Sequence, residues 1–131
     1  MTEAESIGRQ FFEAQDRLRG GLDRDLCAID YTADINGNQL DFDEHQRFAA
    51  ALYSGFPDLH HEFDRVDVRE AAERVRFRLI GTHSGDFMGI AATGKSIEVA
   101  VDTILMIEEG KIETLIGSFD QGDLMRQLGV A

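Results

Sequence analysis

A chain of 131 residues, 43% apolar and 29% charged, has the balance of one soluble globular domain (1–131), and no apolar run approaches the roughly 20 residues of a membrane span. Its 25 acidic against 13 basic side chains give a net charge of −12, the opposite of the basic footprint that nucleic acid binding needs. The lone cysteine, Cys27, excludes a disulfide framework within the chain, and the acidic N-terminus lacks the basic-then-apolar layout of a signal peptide, so a reducing cytoplasm is expected.

In chain order, Ile7, Phe11, Ala14 and Leu18 keep helical spacing, with Thr2 and Glu5 as a capping box and Gly20–Gly21 as the stop. A second, short helix is predicted over Asp23 to Ile29. The NGN tripeptide at 36–38 marks a turn. Asp41 and Glu44 suggest another capping box, opening a helix with Phe48, Leu52 and Phe56 on one face and Gly55 and Pro57 at its end. From Leu59 the period changes to two. A strand to Val68 turns at EAAE (70–73), and Val75, Phe77 and Leu79 then alternate with Arg74, Arg76 and Arg78, a basic row on a solvated or subunit-contacting face. Ile97, Val99, Val101, Thr103, Leu105 and Ile107 form a long alternating strand. Glu109–Gly110 makes a tight hairpin into Ile112, Thr114 and Ile116. A last helix has Asp120 as N-cap, Leu124 and Leu128 inward and Gly129 as C′. Helices followed by hairpin-linked strands predict an α+β fold with an antiparallel sheet.

The stretch GIAATGKS at 89–96 fits the phosphate-binding pattern G-x-x-x-x-G-K-[ST]. That pattern works only between a buried strand and a helix whose N–H groups face the phosphates. Here IEVAVDTILMI follows, with the alternation of a strand, and no repeated βαβ unit surrounds it. Gly89 and Gly94 are turn residues on this reading, and no nucleotide partner is expected.

The pieces GTHSGDFMGIAATGK (81–95), FPDL (56–59), EEGKI (108–112) and FDQGDLMRQLG (119–129) together resemble the SnoaL-like polyketide cyclase family, in order and in spacing. The resemblance implies a cone-shaped, curved sheet wrapped on helices around a deep pocket, the nuclear-transport-factor-like architecture shared with ketosteroid isomerases. It also implies aldol-type ring closure on a polyketide ester without metal or cofactor. Asp120 matches the family's general acid/base at the end of the last strand, and homodimers are common among members. Where many members carry His-Trp in the last strand, this chain has Leu115 and Ile116, and Phe119 stands where the family has tryptophan.

Removing a proton alpha to a carbonyl needs a base held against it and a donor for the enolate, and an apolar pocket raises a carboxyl pKa toward working pH. Asp120 is the first candidate for that work, in competition with a plain N-cap role. His83, in the THSG piece, is the second catalytic candidate. Asp34, Asp102, Phe87, Phe119 and Met106 are candidates for the pocket lining. Met106 also lies with Ile104 opposite the inward series, on an apolar outer face suited to a second copy. Adjacent His60 and His61 point to opposite faces of a strand and, with His45 distant in sequence, show no zinc-ligand spacing. Two function classes follow: a cofactor-free acid/base enzyme acting on a hydrophobic carbonyl compound, or a non-catalytic protein holding such a molecule.

Overall fold

The computed structural model describes residues 6–130, so the Thr2–Glu5 capping box lies outside the described residues. Helix α1 (Ile7–Arg17) is capped instead by Ser6, whose hydroxyl accepts from the Arg9 N–H. A 3₁₀ turn (Arg24–Leu26) leads into strand β1 (Cys27–Ile35), which a hairpin joins to β2 (Asn38–Asp41). Helix α2 (Phe42–Gly55) then precedes β3 (His60–Val68), β4 (Ala72–Thr82), β5 (Ser96–Glu108), β6 (Lys111–Phe119) and helix α3 (Gln121–Leu128).

The predicted second helix is therefore a single 3₁₀ turn followed by a strand. Cys27, Tyr31 and Ala33 are buried on one side of β1, but Ile29, at the same parity, is 92% exposed, so the local pattern is poor. Long-range pairing makes the strand. β1 runs parallel to β6, with Ala33 opposite Leu115, and antiparallel to β2. The sheet order is β2-β1-β6-β5-β4-β3, which makes it mixed rather than wholly antiparallel. Register shifts within β1, β3 and β5 bend the sheet, so that its inner face curves around the helices.

The remaining elements follow the sequence pattern closely. The Asp41–Glu44 capping box is present in both directions, at 2.8 and 3.1 Å. Asn36–Gly37 and Glu109–Gly110 both turn with positive φ, the backbone a two-residue hairpin requires. Gly129 closes α3 in the left-handed conformation. Gly89 and Gly94 also have positive φ in the loop between β4 and β5, and Lys95 is followed at Ser96 by a strand. No helix N-terminus stands behind GIAATGKS, and that geometry leaves its lysine without the phosphate cradle. Burial holds the Cys27 thiol up at about 12, unreactive at neutral pH. Among the described residues no helix is long and apolar enough to cross a membrane.

Candidate active site

Alternation decides what the cavity sees. Val99 and Thr103 of β5, Phe77 of β4 and Leu115 of β6 all turn to the inner face, where they meet α1 and α2. Between sheet and helices they leave a cavity of about 260 Å³. Phe48 and Leu52 of α2, with Phe56 just past its end, form the opposite wall, as their helical spacing predicts. Exposed wall residues such as Asn36, Asn38, Met88 and Gln121 mark the mouth. An apolar enclosure of this size fits a small molecule rather than a macromolecule.

The loop 83–95 closes one side. Gly55 O accepts from both Ser84 N and Gly85 N, at 3.1 and 3.0 Å, and Phe87, only 3% exposed, contributes its ring to the wall. Asp58 of the FPDL piece accepts from the Thr82 N–H at 2.7 Å and from the Thr82 hydroxyl at 2.9 Å. These contacts explain two of the sequence pieces as fastenings between α2 and the end of β4.

His83 belongs to the same fastening. Its ring is 0% exposed and stacks on Phe56 at 5.2 Å, behind the wall rather than on it. Thr93 N donates to its Nδ1 at 3.2 Å, so Nε2 carries the proton, and that atom is buried without a partner among the described residues. Phe119 lines the cavity, but Asp120 beside it does not. The Asp120 side chain is 70% exposed, and its Oδ1 accepts the Asp123 N–H at 2.9 Å as the N-cap of α3. The strand ends one residue earlier, and α3 turns the carboxylate outward. We expect Asp120→Asn to leave stability unchanged and Asp120→Ala to cost about 1 kcal/mol, read by urea unfolding. A substantial loss in the Asn variant would contradict a cap role.

Three other sequence candidates sit elsewhere. Asp102 lies on the outer face, where Arg74 grips both its oxygens at 3.1 and 2.6 Å and holds its carboxyl below the usual range. Met106 follows the fully buried Leu105, so alternation turns it outward, 43% exposed. Asp34 accepts the Gly37 N–H at 2.9 Å, which shapes the β1–β2 hairpin. None of the three is a wall residue. The arginine row is confirmed on the outer face, with Arg78 bridging Glu62, Asp64 and Glu98.

Sequence reasoning missed the polar groups that do reach the cavity. His45 of α2 and His61 of β3 both line it, as do Tyr53 and Gln15. The Tyr31 hydroxyl and His45 Nδ1 are 2.8 Å apart, and burial drives the His45 pKa down to about 4, so the ring is neutral at neutral pH. Asp16 of α1 meets His61 Nδ1 at 2.8 Å, accepts the His61 backbone N–H at 3.0 Å and takes the Tyr53 hydroxyl at 2.6 Å. Burial pushes the Asp16 carboxyl up, but the bonds and charge of His61 with the Tyr53 bond outweigh it, and the carboxyl ends below its ordinary value. Burial also raises the Tyr53 hydroxyl, helped by the Asp16 charge. A signal was present: His61 shares the inward parity of Leu59, and Asp16 lies one helical turn after Phe12. Among the described residues no three His, Cys, Asp or Glu groups converge as a metal would require.

Residues 24–128 match the family model described as SnoaL-like polyketide cyclase. Among solved structures the chain is similar to AclR, a proposed hydroxylase from Streptomyces galilaeus, with TM-score 0.87, 20% identity and 98% and 97% of the two chains covered. It is also similar to IdmH, a proposed polyketide cyclase from Streptomyces antibioticus, with TM-score 0.83, 21% identity and 98% and 100% covered. A Catenulispora acidiphila protein with a ketosteroid isomerase-like fold, in complex with trimethylamine, matches with TM-score 0.79, 13% identity and 96% and 94% covered. No curated protein matches the chain. At these identities the solved structures speak for the fold, and the α+β architecture expected from the sequence is the one they share.

Proposed function

Since the chain belongs to the SnoaL-like polyketide cyclase family, we propose that it is an enzyme performing cofactor-free acid/base chemistry, of cyclase or isomerase type. Its substrate is a hydrophobic, carbonyl-bearing small molecule, polyketide- or ester-like. The observation that carries this reading is the cavity of about 260 Å³, apolar over most of its wall yet holding two imidazoles, His45 and His61. An imidazole is the side chain whose ordinary pKa suits proton transfer at neutral pH. In an apolar enclosure its partner groups act on the substrate with little competition from water.

One observation favours the second reading, a non-catalytic binding protein. Asp120, the position that matches the family's acid, is an exposed helix cap. Both readings require the cavity to bind an apolar molecule, and that requirement is tested first. Naphthol at one hundred times its dissociation constant is expected to stabilise the protein by about 2.7 kcal/mol. Leu52→Trp, which fills the cavity from its α2 wall, is expected to abolish that gain. Equal stabilisation of both proteins, or of neither, would remove the cavity from the argument.

The same reading extends to assembly. Ile104, Met106 and Ile116 are 42%, 43% and 46% exposed on neighbouring strands of the outer face, with Ile104 directly opposite Ile116 in register. A second copy would cover this patch, and light scattering is expected to give the mass of a dimer. A monomer mass across micromolar concentrations would refute the dimer.

A further inference from the structure

Asp16, His61 and Tyr53 form a constellation that no sequence motif of the family announces. Asp16 is on α1, His61 on β3 and Tyr53 on α2, so only the packed fold brings them together. The Asp16 carboxylate takes three donors, among them the His61 main-chain N–H, which fixes the strand against the helix. Phe12 and Phe77 pack on the His61 ring at 5.2 and 4.7 Å and restrict its rotation. Its side chain is 3% exposed while that of Asp16 is 25% exposed. His61 lines the cavity and also lines an open surface groove that Asp16 borders.

The two ring nitrogens therefore have different work. Asp16 accepts only, so in the neutral ring Nδ1 carries the proton toward it and Nε2 keeps a lone pair. Among the described residues only Arg76 Nε and His83 Nε2 are both sealed and unpartnered, so His61 Nε2, which has no partner, meets open space. We propose that His61 Nε2 is the proton acceptor of this cavity, oriented and charge-balanced by Asp16, and that its substrate is a carbon acid, an apolar molecule with a C–H bond activated by an adjacent carbonyl. This rests on the acid/base reading of the cavity given above.

The proton passes from the substrate carbon to His61 Nε2, and the C–H electron pair moves into the carbonyl to give an enolate. The resulting imidazolium faces the Asp16 carboxylate, so the pair gains a compensated charge rather than an isolated one. His45 lines the same cavity and is neutral. Among the described residues Tyr31 has no other hydrogen-bond partner, so its O–H is satisfied there only by donating to His45 Nδ1. That leaves the His45 Nε2–H as a donor for the enolate oxygen, without the acidity of an imidazolium. The proton held on His61 returns to carbon or oxygen as the product forms, and the exposed edge of Asp16 gives the pair contact with solvent between turnovers.

The probe is nitrobenzisoxazole, a flat apolar carbon acid. Loss of its ring proton to a base breaks its N–O bond and releases a coloured cyanonitrophenolate. Wild-type protein is expected to open it with saturation kinetics. His61→Gln should lower kcat about 100-fold or more at a KM within about threefold, the range a positioned base contributes. Asp16→Asn should lower kcat about tenfold and move the acidic limb of the pH–rate profile, which a purely structural partner would leave in place. The groups that set this limb are Asp16 and Tyr53 beside the ring, and Arg9, Glu13, Arg17, Glu62 and Arg78 in the groove. His60→Gln, on the exposed face of the same strand, should match wild type.

Nitroindole, of similar shape and without the labile bond, reports binding separately. If it raises the melting temperature of wild type and variants alike while no protein opens the probe faster than His61→Gln, His61 is not the base and the cavity reading stands. If nitroindole binds nowhere, both readings fall. Should His61→Gln fail to fold by circular dichroism, Asp16→Asn decides: an unchanged rate and pH limb overturns the proposal.

Discussion

Lowering the pH from 6.5 to 4 is expected to cost the protein about 3 kcal/mol of stability through His45 alone. The folded ring has its pKa depressed to about 4 from 6.5 because burial disfavours its charged form. The unfolded chain therefore takes up a proton below about 6.5 that the folded chain refuses. Stability from this group is fully present above that value and is lost progressively as the pH falls toward 4. Asp16 acts in the same direction further down. Its folded pKa lies below 3.8, so its contribution is present above 3.8 and is lost as the pH falls through the folded value. Protonation of other carboxylates relieves the repulsion of a chain with net charge −12 and opposes both. His45→Gln, which cannot titrate, isolates the effect. Urea unfolding across this range should show the wild type losing stability more steeply than the variant, and parallel curves would show that His45 is protonated in the fold.

Glu73→Ala is expected to cost about 3 kcal/mol, although Glu73 lies far from the cavity. Its carboxylate is 2% exposed and sits against the first turn of α1, accepting from the Ser6 hydroxyl at 2.5 Å, Ile7 N at 3.1 Å and Gly8 N at 2.8 Å. Helix N-terminal N–H groups have no partner within the helix, and a negative charge there also meets the positive end of the helix dipole. The close approach depends on Gly8, where a Cβ would stand 3.0 Å from Val75 Cγ2 and 3.1 Å from Glu73 Oε1. Alanine at 73 leaves those donors buried and unpaired. Glu73→Gln keeps one acceptor oxygen and should lose about half as much. Because α1 carries Phe12, Gln15 and Asp16, the loss should also loosen ligand binding. A Glu73→Ala protein as stable as wild type in urea would show that water replaces the carboxylate.

Glu73 also shows where local pattern stops informing. EAAE reads as a turn, and Arg69 N does bond to Ala72 O, yet Ala72 and Glu73 already belong to β4. Nothing within the tetrapeptide says that a helix sixty-five residues earlier will cover Glu73. From Leu59 onward the sequence is legible because hairpin neighbours are close in the chain and one face is buried, which forces alternation. The same alternation already placed Asp102 and Met106 outside, since Val99, Thr103 and Leu105 take the inner face. β1 and β2 were illegible because their partners, not their patterns, make them strands. Phe87 and Phe119 could be placed from their motifs. The Asp16–His61 pair could not, since its members are 45 residues apart and meet only when α1 lies over β3.

The parallel seat of β1 on β6 imposes an order on biosynthesis. β1 is made before β3, β4, β5 and β6, yet among the described residues its strand neighbours are the four-residue β2 and β6, the last of the six in chain order. Bringing Ala33 to Leu115 closes a loop of most of the chain, a slow step compared with zipping the hairpins β3–β4 and β5–β6. A nascent chain ending before Lys111 therefore holds Ala33 without Leu115, its partner on β6. The edge of β1 that β6 later covers stays open until then, and the cavity gains its Leu115 and Phe119 wall only when the C-terminal segment has emerged.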